Sequence, residues 1–162
     1  MPFDQKEYRS ALGSFATGVT IVTANDANGH GHGLTVNSFT SVSLDPPLVL
    51  WCLGNKSDSY DIFANSSHYA INVLPADGKD LAMRFAGKGD QQFAAGEAKS
   101  LVTGAPILND AIAAFDCVVV DKIVAGDHLI LIGQTQDFVV KNVPGLTYFR
   151  GTFGSTGAFA AP

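Results

Sequence analysis

The stretch GLTVNSFTSVSLDPPLV, residues 33–49, says more about the fold and about a ligand than any other part of the sequence. It follows residues 25–29, Asn-Asp-Ala-Asn-Gly, which favour a turn and come after an alternating strand pattern. Residues 33–43 therefore predict a strand that returns beside the preceding one. Pro46 and Pro47 prevent that strand from continuing as a hydrogen-bonded ladder, because proline has no backbone N–H to donate.

Polar side chains are concentrated in this stretch. Between Thr35 and Ser43, six of nine side chains carry a hydroxyl or an amide, although hydrophobic residues make up 46% of the chain. Buried hydroxyls and amides need hydrogen-bond partners. A flat heteroaromatic ligand with ring nitrogens and carbonyl oxygens would supply several. An edge strand whose polar residues face water explains the same pattern, and composition does not separate the two interpretations.

The rest of the chain predicts mostly strands, separated by turn signals rather than by helices. Strand patterns occupy residues 19–23, 48–53, 69–74, 115–124, 129–140 and 146–150. The apolar run 48–53 is typical of a central strand. Because several consecutive strands have no helix between them, a doubly wound parallel sheet is excluded. The predicted fold class is mainly β, with an antiparallel sheet that is closed or nearly closed on itself.

We expect a few short helices beside these strands. Asp4, followed three residues later by a glutamate, has the spacing of a capping box and opens a first helix that Gly18 ends. Ser57 opens a second helix, and Asp77 can cap a third. The stretch 87–110 shows no steady period.

Length and charge restrict the class of protein. The 162 residues fit one domain, 1–162. Only 15% of residues are charged, so we expect a partner subunit or a ligand to cover some apolar surface. The net charge of -5 and the scattered basic residues argue against a nucleic-acid or membrane surface. Cys52 and Cys117 predict reduced thiols, and the first residues lack a signal-peptide pattern, so we expect the cytoplasm.

Common catalytic signatures are absent from the sequence. It contains no GxGxxG, Walker A, GxSxG or HExxH pattern. His30 and His32 alternate and would share one face of a strand, but no third ligand stands at a suitable spacing. We therefore expect no metal site and interpret both as loop histidines.

Six segments occur in a characteristic order: GVTIVT at 18–23, GLTVNSFTSVSLDPPLV at 33–49, INVL at 71–74, GAP at 104–106, GDH at 126–128 and LTYFRG at 146–151. Together they resemble the flavin reductase-like family. These are small NAD(P)H:flavin oxidoreductases, including the reductase components of two-component flavin monooxygenases. The resemblance runs from about Tyr8 to Phe153, nearly the whole chain.

The resemblance implies an FMN-binding split β-barrel that works as a homodimer, with the flavin near the subunit interface. It implies four contacts to the isoalloxazine ring: Thr35, Val36, Asn37 and Ser38. It places three residues along the ribityl chain: Ser41, Val42 and Ser43. Two residues would flank the other edge of the ring: Cys52 and Leu53.

A flavin phosphate needs hydrogen-bond donors and positive charge. Lys56 and Ser57, directly before a predicted helix, supply a cation and a hydroxyl there. The resemblance adds Arg84 and Phe85 at the phosphate end of the cofactor, with Lys88 close by. An exposed surface charge is the alternative for Lys56 and for Arg84.

The GDH segment supplies the candidate catalytic residue. The resemblance implies that His128 lies on the nicotinamide side of the flavin and positions the hydride donor. It also implies that Tyr148 and Arg150 lie near the cofactor or cover it from the neighbouring subunit. We expect NADH rather than NADPH, because basic residues that could meet a 2′-phosphate are few and scattered.

The implied reaction transfers a hydride from NADH to FMN, with FAD and NADPH as alternatives. The cofactors carry this chemistry, which explains why catalytic signatures are absent. The reduced flavin would serve a monooxygenase, oxygen or a ferric acceptor. An FMN-bound electron relay, or a non-enzymatic flavin- or haem-binding protein on the same barrel, stays open as an alternative.

Overall fold

The computed structural model describes residues 3–87 and 93–157. The described residues form three helices: α1 Gln5–Leu12, α2 Tyr60–Asn65 and α3 Lys79–Ala86. They also form twelve strands: β1 Thr17–Gly18, β2 Thr20–Asn25, β3 Gly31–Val36, β4 Thr40–Leu44, β5 Pro47–Gly54, β6 His68–Val73, β7 Ala98–Ser100, β8 Pro106–Leu108, β9 Ala113–Ala125, β10 His128–Val140, β11 Leu146–Phe149 and β12 Thr152–Ser155. Lys88 lies outside the described residues.

Seven strands form one antiparallel sheet in the order β3-β2-β6-β9-β10-β5-β4. Its two edge strands, β3 and β4, follow each other in the chain and are joined by residues 37–39 alone. Three residues span about 10 Å, so the sheet must curl until its edges approach each other. Within the described residues β3 and β4 do not pair, so the barrel is split along this seam. The predicted split antiparallel barrel is confirmed.

Two smaller sheets and one long hairpin complete the architecture. β1, β11 and β12 form a three-stranded sheet, and β7 pairs with β8. The 13-residue strands β9 and β10 form the hairpin, with Gly126 in its turn at φ 62. Its far end extends beyond β6, whose pairing with β9 covers only 68–73 against 113–118. This leaves the outer half of β9 more exposed than the inner half.

Both faces of the large sheet are covered. On β2, Ile21 belongs to a core cluster with Phe85 of α3, whereas the adjacent Val22 belongs to a second cluster. That second cluster contains Trp51 and Tyr69, whose rings meet edge to face with centroids 5.9 Å apart. Since adjacent side chains on a strand point to opposite faces, β2 is buried on both sides. This explains its nearly uninterrupted burial.

Helix α3 lies against β3 through one close contact and one hydrogen bond. Phe85 is fully buried over Gly33, where an added Cβ would come within 2.6 Å of the ring. The Thr35 hydroxyl donates to the carbonyl oxygen of Ala82 at 2.7 Å. The glycine lets the aromatic ring approach the strand, and the threonine fixes the helix along it. The C-terminal end of α3 is thereby placed beside the end of β3.

Buried polar side chains attach the segment 103–108 to the barrel. The Asn72 amide donates to the carbonyl of Ile21 at 3.1 Å and accepts from the N–H of Leu108 at 2.8 Å. The fully buried Asp116 accepts from the N–H and the hydroxyl of Thr103. These bonds satisfy groups that would otherwise be costly to bury. They hold β8 against the sheet without a regular hydrophobic pattern.

The structure corrects several expected boundaries. Asp4 caps α1 by accepting from two backbone N–H groups, but the helix ends at Leu12 and not at Gly18. Asp77 does not cap α3, because Gly78 stands at the cap position with no side-chain bond. The strand expected over 33–43 is divided into β3 and β4. The central strand expected over 48–53 is β5, one position from the sheet edge.

Four strands were missed by the sequence patterns, and the first of them, β1, has only two residues. β7 and β8 lie in the stretch without a steady period, and β12 lies in the glycine-rich tail. Each has only three or four residues, too short for a period of two to stand out. In the described part of the chain, every helix is too short or too polar to cross a membrane.

Replacing Gly33 by alanine should destabilise the fold by roughly 1–3 kcal/mol, because the new methyl group would overpack the Phe85 ring. The measurement is the midpoint of thermal or urea unfolding. Gly18→Ala is the matched control, since an added Cβ there meets nothing within 4 Å. Equal stability of both variants would contradict the proposed role of the Gly33–Phe85 contact.

Candidate functional site

A cavity of about 440 Å³ opens at the split seam of the barrel. One wall is the end of β3 and the link to β4, and the opposite wall is formed by the ends of β5 and β10. The loop after β5 and the end of α3 complete the cavity. The lining residues are Leu34, Thr35, Val36, Asn37, Ser38, Cys52, Gly54, Lys56, Ser57, Asp58, Ala86, Gly87 and His128. Most candidate residues from β3, β5 and the GDH segment therefore meet at one place.

Two of the predicted ring contacts use their hydroxyls to hold the scaffold. Thr35 donates to the carbonyl of Ala82, as described above. Ser38 accepts from the N–H of Cys52 at 3.0 Å and donates to the carbonyl of the same residue at 3.3 Å. The seam link is thus pinned to β5 by one serine. These hydroxyl protons are committed to the protein, and the hydroxyls themselves line the cavity wall.

Asn37 is the polar side chain of the link that the scaffold does not use. It is exposed, and its amide makes no hydrogen bond to any residue in 3–87 or 93–157. An amide offers two donors and one acceptor oxygen, which suits a heteroaromatic ring with alternating nitrogens and carbonyls. Asn37 therefore has the side chain of this wall that is available to hydrogen-bond a ligand.

Cys52 and Leu53 point to opposite sides of β5. Cys52 lines the cavity and is half-buried, and burial raises the pKa of its thiol above the ordinary value. Leu53 is fully buried in the cluster with Trp51. Only Cys52 contributes a side chain to the cavity, as the two-residue period of a strand requires. The thiol stays protonated at neutral pH and acts as a wall, not as a nucleophile.

The loop after β5 carries the charged part of the cavity. Lys56, Ser57 and Asp58 all line it. The loop is held by backbone bonds: Ser57 donates its N–H to the carbonyl of Gly54, and Asn55 donates to the carbonyl of Asp127, each at 3.0 Å. The second bond joins the loop to the β9–β10 turn. The cation, the hydroxyl and the GDH segment are therefore fixed relative to one another.

His128 begins β10 with its ring directed by the residue before it. Its Nδ1 lies 2.7 Å from Oδ1 of Asp127. This hydrogen bond, with the charge of Lys56 as a smaller cause, holds the pKa of Asp127 below its ordinary value. The other nitrogen, Nε2, lies on the side of Gly54, where an added Cβ would be 3.7 Å away. The ring therefore stands at the cavity edge with Nε2 free to meet a ligand.

A second cavity of about 390 Å³ lies on the other side of the same wall. It shares four lining residues with the first: Thr35, Val36, Asn37 and Ala86. Tyr148, packed edge to face on Phe153 with ring centroids 5.2 Å apart, contributes its aromatic side. The end of β3 thus separates a polar cavity from a more apolar one. Tyr148 is placed near the site, but in the second cavity.

The remaining candidates lie outside both cavities. Arg84 makes two hydrogen bonds to the carboxylate of Glu97, at 2.6 and 3.0 Å. Phe85 is buried under α3 against Gly33. Arg150 donates to the hydroxyl of Ser14 from two nitrogens. Three candidates lie on the edge strand β4, beside the seam: Ser41, Val42 and Ser43.

Some cavity residues escaped the sequence patterns. Asp58 lines the cavity, and Asp127 lies beside it through its bond to His128. Both bring negative charge and adjoin predicted residues, which could have indicated them. Ala86 and Gly87 come from the end of α3 and carry no functional side chain. Only the fold brings that helix end to the seam.

Two other places in the described structure bring acidic side chains together or beside histidines. A larger cavity of about 700 Å³ lies near the start of α3 and is lined in part by Asp77, Asp80 and Asp110. None of the candidate site residues lines it. Asp26, in the β2–β3 turn, has its carboxylate 3.5 Å from His30 and 3.1 Å from His32. These bonds organise the turn. His32 pairs with Ala24 as part of β3, so it is not the loop histidine that was expected. In the described ranges no three histidine, cysteine or acidic side chains are grouped to hold a metal ion.

Known proteins resemble this chain over most of its length. Residues 12–157 match the model of a family described as flavin reductase like domain. A probable flavin reductase from Rhizobium meliloti (strain 1021) is 46% identical over 151 residues, 93% of this chain and 49% of that protein. The reductase component of a flavin-dependent trigonelline monooxygenase from Acinetobacter baylyi is 42% identical over 148 residues, 91% of this chain and 48% of that protein.

Two further matches extend over most of both chains. An FMN reductase (NADH), SmoA, from Agrobacterium fabrum is 39% identical over 151 residues, 93% of this chain and 86% of that protein. The structure of flavin reductase PheA2 in its native state superposes with a TM-score of 0.84 at 37% identity, covering 98% of this chain and all of that chain. The chain thus spans about half the length of the first two relatives and most of the length of the other two.

Proposed function

Since the chain belongs to the flavin reductase-like family, we propose that it is an NAD(P)H:flavin oxidoreductase that transfers a hydride from NADH to FMN. The observation that carries the proposal is the convergence of Asn37, Lys56 and His128 on one cavity at the split seam. The Agrobacterium relative, named an FMN reductase (NADH), supports FMN and NADH. FAD and NADPH remain the alternative pair.

The cavity fits a flavin by its size and by its donor set. Its 440 Å³, with 390 Å³ across the shared wall, falls in the range of small-molecule sites. Asn37 and the backbone of the seam link face the space for a polar ring edge. Lys56 and Ser57 offer a cation and a hydroxyl for a phosphate. A bound flavin would supply a hydride acceptor at N5, and the nicotinamide would supply the hydride from C4.

The chain's own residues position the reactants and exclude competing arrangements. Ser38 and Thr35 fix the wall so that Asn37 meets the ring at a constant place. Asp127 accepts from Nδ1 of His128, so Nε2 is the nitrogen that can accept a hydrogen bond from the hydride donor. No side chain needs to transfer a proton in the hydride step. Holding two rings at about 3–3.5 Å is the main requirement.

We also propose that the reduced flavin leaves for a separate acceptor, either a monooxygenase component, oxygen or a ferric complex. The Acinetobacter relative, named a reductase component of a monooxygenase, supports the first of these. A cytoplasmic location fits the two unpaired thiols of Cys52 and Cys117 and a supply of NADH.

A homodimer is proposed as the working form. Many apolar side chains are exposed on the β9–β10 hairpin, on β4 and on and after α1: Val118, Val120, Ile123, Val124, Phe138, Val42, Leu44, Leu12 and Phe15. Helix α1 has no buried residue of its own. Exposed apolar surface of this extent in a chain with few charges favours a protein partner. This surface includes β4 and therefore extends to the seam.

The first experiment is NADH oxidation, followed at 340 nm, by flavin-stripped protein with and without FMN. We expect NADH consumption only when protein and FMN are both present, since the protein supplies positioning and the flavin supplies the acceptor. FMN binding without NADH consumption would favour an electron relay or a binding protein. If the protein binds no flavin, it would share the fold of the family but not its function.

His128→Ala should slow NADH oxidation by roughly ten- to a hundredfold while changing FMN affinity less than threefold, because the imidazole positions the donor. The readouts are steady-state kinetics with NADH and a fluorescence titration with FMN. His30→Ala is the control, because this histidine lies in the β2–β3 turn away from the cavity. A collapse of FMN affinity in His128→Ala would show that the assigned role is wrong.

Sedimentation should give about twice the 17.0 kDa mass of the chain. Val120→Glu should shift the protein towards the single-chain mass, because it places a charge in the exposed apolar surface of β9. Lys99→Glu on β7 changes charge away from that surface and should leave the mass unchanged. A wild-type chain that sediments as a monomer would contradict the dimer.

A further inference from the structure

The described residues around the seam cavity give it no excess of positive charge. Lys56 is the one lysine or arginine among the described residues that line it. Asp58 lines the same cavity two positions later, and Asp127 lies close enough to Lys56 to feel its charge. Arg84, near the end of α3, is engaged with Glu97 through two hydrogen bonds. A cavity that takes a phosphate usually carries an excess of positive charge, and the described residues around this one do not supply it.

The Asp58 carboxylate has no structural task that explains its position. It is exposed, and within residues 3–87 and 93–157 it makes no hydrogen bond and no ion pair. The loop that carries it is held by other groups, namely the backbone N–H groups of Asn55 and Ser57 and the Ser57 hydroxyl. Removing its charge should therefore leave the loop intact. Its effect falls on whatever anion enters beside Lys56.

We propose that Asp58 sets the flavin affinity of the cavity, by opposing Lys56 and repelling the phosphate dianion of FMN. The inference rests on the proposed function, in which that phosphate lies at Lys56. A reductase that delivers reduced flavin to another acceptor must release it, and a carboxylate beside the cation weakens the binding of a dianion. Asp58 is thus a residue for flavin exchange rather than for the hydride step.

The size of the effect follows from Coulomb's law. One unit charge facing a dianion about 6–8 Å away in a water-like dielectric changes affinity by roughly three- to tenfold at low salt. Screening at high ionic strength should remove most of this difference, since the Debye length falls to about 3 Å at 1 M. The effect should not appear with riboflavin, which has the same ring but no phosphate.

The test is a fluorescence titration of wild type, Asp58→Asn and Asp58→Lys with FMN and with riboflavin, at low and at high salt. We expect Asp58→Asn to bind FMN three- to tenfold more tightly at low salt, with Asp58→Lys tighter still. Riboflavin affinity should stay within twofold in both variants. Asp61→Asn is the matched control, because it removes the same charge from α2 at a position that does not line this cavity.

The outcomes separate the two levels of the proposal. Unchanged FMN affinity in both Asp58 variants, or equal changes for FMN and riboflavin, would overturn the role of Asp58 and leave the reductase function standing. A gain in FMN affinity that persists unchanged at 1 M salt would also overturn it, since the effect would not be electrostatic. No binding of either flavin by any of the proteins would overturn the proposed function itself.

Discussion

The link between β3 and β4 is the constraint on which the rest of the structure depends. Residues 37–39 join the two edges of a seven-stranded sheet, so the sheet has to curl and its edges have to meet. A direct ladder between them would close the barrel, but the link diverges and leaves a seam. Exposed backbone at a seam offers unpaired N–H and C=O groups to a ligand, as an exposed edge strand offers them to another strand. The candidate site lies there because the topology leaves no other gap of this kind in the described barrel.

The polar residues in and beside this link have different roles. Sequence composition left two interpretations of the segment 35–43, a ligand wall or a wet edge strand. The structure places residues 35–38 in a cavity wall and β4 at an exposed edge, and the ligand stays a prediction. The hydroxyls of Thr35 and Ser38 form hydrogen bonds with α3 and β5, and Asn37 lines the cavity. The serines of β4 lie on the exposed edge. A single polar run therefore supplies the frame, the contact and the rim of one site.

Most of the fold could be predicted, because long strands have a period of two and their turns carry glycine or proline. The stretch 87–110 could not, since Asn72 and Asp116 hold its described part by bonds from distant strands. Within the site, the family resemblance named Cys52 and Leu53 together, yet neighbours on a strand cannot both face one cavity. The resemblance also assigned Phe85 and Arg84 to a ligand; the structure shows Phe85 in the core and Arg84 paired with Glu97, and their role toward a ligand stays a prediction. Resemblance locates a segment, and the strand period then selects the residue.

Trp51, buried beside Phe63 and Tyr69, is the one tryptophan of the chain. It precedes Cys52 on β5, so its indole lies on the core side of the strand whose next residue lines the seam cavity. Indole emission overlaps the near-ultraviolet absorption of oxidised flavins, and the two chromophores would be separated by little more than the thickness of one strand. The core residue that stabilises the barrel is therefore also an intrinsic optical reporter, whose emission would dim if a flavin filled the cavity.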